Sequence, residues 1–291
     1  LRLRQTLSGI VAGIAKPACL QPPAAACSLD SLFCLELCNY QIQRTHIMAE
    51  NSKIGWTTHT INFWMGCTKV SEECRNCYIK GVLGRMSKTS EPFGGPKRTA
   101  ESTWKKAWTL NQTAIKANRR DRVFTCSLSD FFHPEADCWR ADAWQVIRDC
   151  KQLDWLILSK RPQLIADRLP SDWGDGYRHV WLGVTAGCRD SSWRLDELAK
   201  IPAACRFISA EPLLERLDLR PYLADFDWVI TGCEQAARDK RRRMELDWVR
   251  NIDSQCREAG VAHFFKQYYA TMEGKEFGLP CEDGMLDARH V

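Results

Sequence analysis

At 291 residues, with 41 basic and 36 acidic side chains and a formal net charge of +5, the chain is long enough to bury a substantial core. Charged residues at 26% and hydrophobic residues at 45% describe a globular protein rather than a disordered or fibrous one, and the absence of an apolar run of eighteen residues excludes a transmembrane helix. The mild positive balance permits a nucleic-acid partner without requiring one.

The first 47 residues differ from the rest: few charges, many Ala, Pro and Leu, and no helical or strand period. Arg2 and Arg4 ahead of an apolar stretch, and Ala24-Ala25-Ala26-Cys27, carry a faint likeness to export signals. The chain opens on Leu1, and Met48-Ala49-Glu50-Asn51-Ser52-Lys53 reads as a natural polar start. The expectation is a disordered or upstream extension over 1–47 and a single catalytic domain over 48–291.

From residue 54 short apolar runs alternate with amphipathic segments. Strands are expected at 61–65, 123–126, 155–158, 180–184, 206–208, 228–230 and 262–265. Their nearly continuous apolar character suits strands buried on both faces of a parallel sheet. Helical stripes fall at 102–118, at 139–150 and through Trp248, Val249, Ile252 and Cys256, the last stopped by Gly260. At least seven such strands in series predict an α/β fold, a (β/α) barrel of TIM type, complete or partly open, with a doubly wound sheet as the alternative. The twelve Trp are expected in the core.

The chain carries fifteen Cys, an odd count with irregular spacing after Cys77, which does not read as a disulfide framework. Cys126, Cys150, Cys188, Cys205, Cys233 and Cys256 lie in or beside apolar runs and read as reduced core thiols, which points to the cytoplasm. Cys67, Cys74 and Cys77 are different. They stand at C-x6-C-x2-C spacing just after the first strand, where thiolates converge on one inorganic centre. Three ligands without an adjacent fourth suit a 4Fe–4S cluster with one iron open. A zinc site would need Cys126 or His133 as the fourth ligand and would mark a non-catalytic nucleic-acid-binding or phage accessory protein.

Six strand ends after this loop turn polar: Ser127-Leu128-Ser129-Asp130, Ser159-Lys160-Arg161-Pro162, Thr185, Ser209-Ala210-Glu211-Pro212, Gly232-Cys233-Glu234-Gln235 and Lys266-Gln267. In a barrel these share the carboxyl-end rim, where active sites are built. An iron with an open position there can bind S-adenosylmethionine and, once reduced, cleave its carbon–sulfur bond. The protein's task is then to hold, orient and keep out water. The common three-Cys pattern of such enzymes has a first gap of three; here it is six.

The run Lys53-Ile54-Gly55-Trp56-Thr57, the cysteine loop through Tyr78, Ser127-Leu128-Ser129-Asp130-Phe131-Phe132-His133, Leu158-Ser159-Lys160-Arg161-Pro162, Val180-Trp181-Leu182-Gly183-Val184, Arg206-Phe207-Ile208-Ser209-Ala210-Glu211-Pro212-Leu213 and Phe264-Phe265-Lys266-Gln267 together resemble the phage-associated three-Cys-motif family of the gp-thirty-seven/gp-sixty-eight type. Where that family usually shows Gly-Gly-Glu-Ser, this chain has Gly232-Cys233-Glu234-Gln235. The resemblance implies a radical-SAM-like iron–sulfur enzyme, a separate three-Cys-motif partner protein, and an electron donor such as flavodoxin or ferredoxin.

On that reading Cys67, Cys74 and Cys77 are the metal ligands. Glu211, Glu234 and Ser209 meet the ammonium or ribose of S-adenosylmethionine, and Lys160 and Arg161 meet its carboxylate or a substrate phosphate. Asp130, His133 and Lys266 are the catalytic candidates, Asp130 and His133 for moving protons or for reaching the metal. Lys266, a near-buried cation, needs Glu211 or Glu234 beside it. The basic run Arg238-Asp239-Lys240-Arg241-Arg242-Arg243 is either a solvated loop or a contact to a nucleic-acid backbone.

Overall fold

The computed structural model describes residues 52, 54–86, 92–272 and 275–280; the 1–47 extension lies outside them. In chain order the elements are β1 (His59–Ile61), β2 (Trp64–Met65), α1 (Ile79–Met86), β3 (Lys97–Arg98), α2 (Glu101–Lys116), β4 (Asp121–Thr125), α3 (Asp137–Asp149), β5 (Leu153–Ser159), β6 (Val180–Thr185), α4 (Trp193–Ala199), β7 (Cys205–Ala210), β8 (Trp228–Thr231), α5 (Leu246–Ala259), β9 (Ala262–Phe265), β10 (Gln267–Met272) and β11 (Lys275–Pro280).

Seven strands form one sheet in the order β1-β4-β5-β6-β7-β8-β9, and every pairing is parallel. Each strand lies beside its predecessor in the sheet, so the winding never reverses, which sets aside the doubly wound alternative. β1 and β9 are not paired to each other, so the sheet stays open.

Alternation sorts side chains to two faces. Val123, Trp155, Ile157, Val180, Leu182, Val184, Ile208 and Val229 point to the helices and pack on Trp104, Ala107, Leu110, Ala143, Ile147, Leu195, Ile252 and Cys256. Phe124, Leu156, Trp181, Phe207, Trp228, Ile230 and Phe264 fill the opposite face, closed at one side by Trp56. Both faces are buried, hence the continuous apolar runs. Gly183 sits on this second face. A Cβ there would lie 2.3 Å from two atoms of the Phe207 ring. That ring has no room to retreat, with Trp56 at 6.2 Å and Trp228 at 5.9 Å.

Two expectations change. The apolar run 61–65 is not one strand. β1 ends at Ile61, and β2 leaves the sheet to pair antiparallel with β3. Asn62 causes the break: its side-chain oxygen accepts from Leu128 N at 2.8 Å, and its carbonyl accepts from Thr99 Oγ1 at 2.8 Å, both in place of sheet partners. Phe63 then inserts beside Trp104 (4.8 Å) and Trp155 (5.9 Å). The helix–strand alternation is also incomplete. Short 3-10 turns at Pro162–Leu164 and Ala166–Arg168 replace a helix between β5 and β6, and one at Leu223–Asp225 does so between β7 and β8. Among the described residues no helix is long and apolar enough to cross a membrane.

Two consequences can be measured. Gly183→Ala should destabilise by about 1–3 kcal/mol through overpacking against Phe207, read as a shift in urea midpoint at unchanged slope. At the amino ends of the strands, buried Asp121 accepts from Arg119 Nε at 2.8 Å and pairs with His59 at 3.2 Å. Burial works against its ionised form, but the hydrogen bonds from Arg119 and His59 outweigh it and hold the carboxyl below its usual range. Its contribution is therefore present above about pH 4 and lost as pH falls through the depressed value. Asp121→Asn should lower stability at pH 6 and make the loss between pH 4 and pH 2 shallower than in the wild type.

Candidate metal centre and strand-end rim

The cysteine loop begins at Gly66, whose φ of +98° no L side chain adopts comfortably; a Cβ there would also meet Gly95 O at 2.3 Å. Gly66 N donates to Leu128 O at 3.0 Å and Cys67 N to Pro92 O at 3.1 Å. A single 3-10 turn, Glu72–Cys74, brings Cys74 back toward Cys67, and Tyr78 closes the loop by donating its hydroxyl proton to Ser127 O.

Cys74 lies close enough to both Cys67 and Cys77 for its charge to raise their thiols. Burial pushes the Cys67 thiol up to about 11; Asp130 adds to the rise and Arg161 opposes it. Burial also raises Cys77, against Ile79 N–H and Lys160. Cys74 falls below its ordinary value, because Lys160 and the N–H groups of Val70 and Ser71 outweigh the burial. Among the described residues no three Cys, His, Asp or Glu side chains are gathered at metal-ligand spacing. The donor chemistry fits a thiolate-held centre: three thiols on one loop, with Lys160 and Arg161 supplying positive charge.

Asp130 and Arg161, on the turns after β4 and β5, form a buried pair at 3.0 Å. Asp130 Oδ1 accepts from Phe132 N (2.9 Å) and Ser159 Oγ (2.8 Å), and Oδ2 accepts from Lys160 N (2.9 Å) as well as Arg161. Its acceptor positions are filled by this chain. Arg161 donates onward to Thr68 O (2.9 Å) and Thr68 Oγ1 (2.7 Å), and its Nη1 lies 3.7 Å from Cys67 Sγ. The pair ties the cysteine loop to two strand ends. Cys126, the first residue past β4, takes a left-handed φ of 56° and turns the chain toward Asp130. Its buried thiol is pushed up to about 12.

His133 Nδ1 accepts from Glu135 N at 3.3 Å, so Nε2 carries the proton and donates to Thr68 Oγ1 at 2.9 Å. Burial first, and then Arg161, hold its pKa below the ordinary imidazole value. His133 is thus a neutral ring with both nitrogens engaged.

Lys160 is half-buried at the carboxyl end of β5 and donates to Thr185 Oγ1 at 3.1 Å; among the described residues no carboxylate pairs with it. Lys266 finds Glu211, whose Oε1 also accepts from Gln267 Nε2 at 3.1 Å. Ser209 is buried on β7, with its carbonyl accepting from Ala186 N at 3.1 Å. Glu234 is buried and held by Arg242 through both carboxylate oxygens, by Arg242 N (2.9 Å) and by Asn76 Nδ2 (3.1 Å). The six core thiols are free and buried.

Sequence reasoning missed the pairing of three residues here. Glu73 and Arg194 make an ion pair at 3.2 Å with both side chains almost fully buried, and Arg194 also donates to Thr185 O at 2.9 Å. This pins the cysteine loop to α4. Burial opposes the Glu73 charge, but Ser191, Ser71 and Arg194 outweigh it and bring the carboxyl down to about 2. Arg242 reaches Glu72 Oε1 at 2.7 Å as well as Glu234, so the basic run is partly a strap over the loop. No local pattern marks these pairs, because their members lie 121 and 170 positions apart. Arg194→Ala should cost about 3–5 kcal/mol by leaving Glu73 buried and unpaired. Urea denaturation with limited proteolysis would show a lower midpoint and early cleavage between residues 66 and 78; an unchanged midpoint would mean that the pair does not hold the loop.

No curated protein and no solved structure gives a significant match to this chain. One family model does, over residues 51–289, a span that takes in the whole sheet, the cysteine loop and the strap. The chain therefore belongs to the family described as "Protein of unknown function (DUF5131)".

Proposed function

We propose that this protein is an iron–sulfur enzyme of the radical S-adenosylmethionine type on a partly open (β/α) barrel. The observation carrying the proposal is positional. Three thiols on one loop are tied to the carboxyl ends of β4 and β5, beside a half-buried Lys160 that no described carboxylate neutralises. The singly wound open parallel sheet and the resemblance to the phage-associated three-Cys-motif family support the same reading.

Cys67, Cys74 and Cys77 would hold a 4Fe–4S cluster. When bound, that group supplies an open iron for the amino and carboxylate groups of S-adenosylmethionine and one electron to break its carbon–sulfur bond. The chain's own residues do the rest. Lys160 binds the carboxylate as a point charge. Glu211 is oriented by Lys266 and Gln267 through Oε1, and its other oxygen accepts from no described donor, leaving it for an ammonium or ribose hydroxyl. Asp130 and Arg161 position Cys67, and neutral His133 buttresses Thr68. Glu234 anchors the strap instead of reaching the cofactor. The free, buried thiols suit a reducing cytoplasm, and a flavodoxin or ferredoxin would be the electron donor.

Anaerobic purification tests this. The expected protein is brown, absorbs near 400 nm, carries about four irons per chain and cleaves S-adenosylmethionine on reduction. Cys77→Ala should lose colour, iron and cleavage together while keeping the wild-type circular dichroism. A colourless protein with one zinc per chain would replace this reading with the structural-zinc one.

A further inference from the structure

Two exposed basic tracts meet at the cysteine loop. The first is the helix that follows it: Lys80 and Arg85 on α1 are exposed, and the described residues of α1 carry no acidic side chain. The second is the strap, where Arg238, Lys240 and Arg243 are exposed while Arg242 points inward to Glu234 and Glu72. Asn76 Nδ2 donates to Lys240 O at 2.7 Å, which seats the strap directly against the loop. Arg241 lies over the Tyr269 ring at 3.5 Å and donates to Ala236 O at 2.9 Å, so Arg241 and Arg242 both help to hold the strap. Among the described residues Arg243 pairs with half-buried Glu245, its own side chain open to solvent, a contact of little energetic weight. The acidic residues of the loop are spoken for: Glu72 by Arg75 and Arg242, and Glu73 by Arg194. The loop itself exposes Val70 (47%) and part of Tyr78 (37%), whose hydroxyl is buried and anchored to Ser127 O.

We infer that this surface binds a single-stranded nucleic acid, which makes a nucleic acid the substrate class of the site. The inference rests on the reading of the cysteine loop as the reactive centre. Cations that track a backbone, beside an aromatic face on which a base can stack, are the two parts of sequence-tolerant single-strand binding. An acidic protein would need a larger apolar contact centre than the two apolar side chains this loop exposes.

The test is fluorescence anisotropy of the full chain with labelled 20-nucleotide RNA and DNA, single- and double-stranded, over a series of salt concentrations. Wild type should bind single strands, with affinity falling linearly in log salt. The triple variant Arg238→Ala, Lys240→Ala, Arg243→Ala should weaken binding about 10- to 100-fold near 0.1 M salt and flatten the log–log slope by about 2. Lys80→Ala with Arg85→Ala should act in the same direction. Lys105→Ala with Lys116→Ala, exposed on α2, should change little. Absence of binding at low salt, or equal losses in the α2 control, would overturn the assignment. So would strap-dependent binding of an acidic flavodoxin with none of the oligonucleotides. Anisotropy needs neither iron nor S-adenosylmethionine, so this inference and the iron–sulfur reading fail separately.

Discussion

The structure depends most on the buried contact between Asp130 and Arg161. Both side chains are almost fully out of water, which by itself is costly, and such a pair persists only where further hydrogen bonds complete it. Here they do. Asp130 collects two backbone N–H groups, the Ser159 hydroxyl and the guanidinium; Arg161 spends its remaining donors on Thr68 and faces Cys67 Sγ. Two strand ends and the cysteine loop thereby become one polar network, in which each member keeps the others satisfied. The result is a thiol held at a defined place over the sheet rather than on a free loop.

Two further pairs act on the same loop from other sides. Glu73 with Arg194 fixes it to α4, and Arg242, gripping Glu72 and Glu234, straps it from above. All three use arginine, whose planar fork reaches two partners at once and stays charged when buried. The loop is thus held by charge as well as by the apolar cluster of Ile79, Leu83 and Leu128 against which Cys67 and Cys77 pack, while Val70 and Tyr78 face solvent. Lys160 is the contrasting cation. It donates to the Thr185 hydroxyl, and its field lowers Cys74. The arginines are thus neutralised within the site, while among the described residues no carboxylate pairs with Lys160.

Much of the fold was legible in the residues. Six of the seven sheet strands, β4 to β9, follow from continuous apolar runs, because a parallel sheet covered on both faces demands them, and the stripes at 102–118, 139–150 and 248–256 correspond to α2, α3 and α5. The polar strand ends predicted a rim, and Lys266 beside Glu211 follows from the need of a buried cation for a partner. The run 61–65 misled because apolar periodicity is blind to what Asn62 does: a side-chain amide that takes over the backbone's hydrogen bonds ends a strand as surely as proline.

The sequence by itself determined the local terms: which segments are apolar on two faces, where three thiols share a short loop, and which strand ends carry charge. Those properties belong to neighbouring residues and survive in the unfolded chain. Only the tertiary structure decided the roles of the charges. Asp130 became a support for Cys67 through Arg161, and Arg242 a strap that reaches Glu72, because each of these outcomes turns on a partner brought close by the winding of the sheet; Glu234, eight positions before Arg242, anchors the strap locally. Ion pairing falls off over a few ångströms, and these partners lie up to 170 positions apart in the chain.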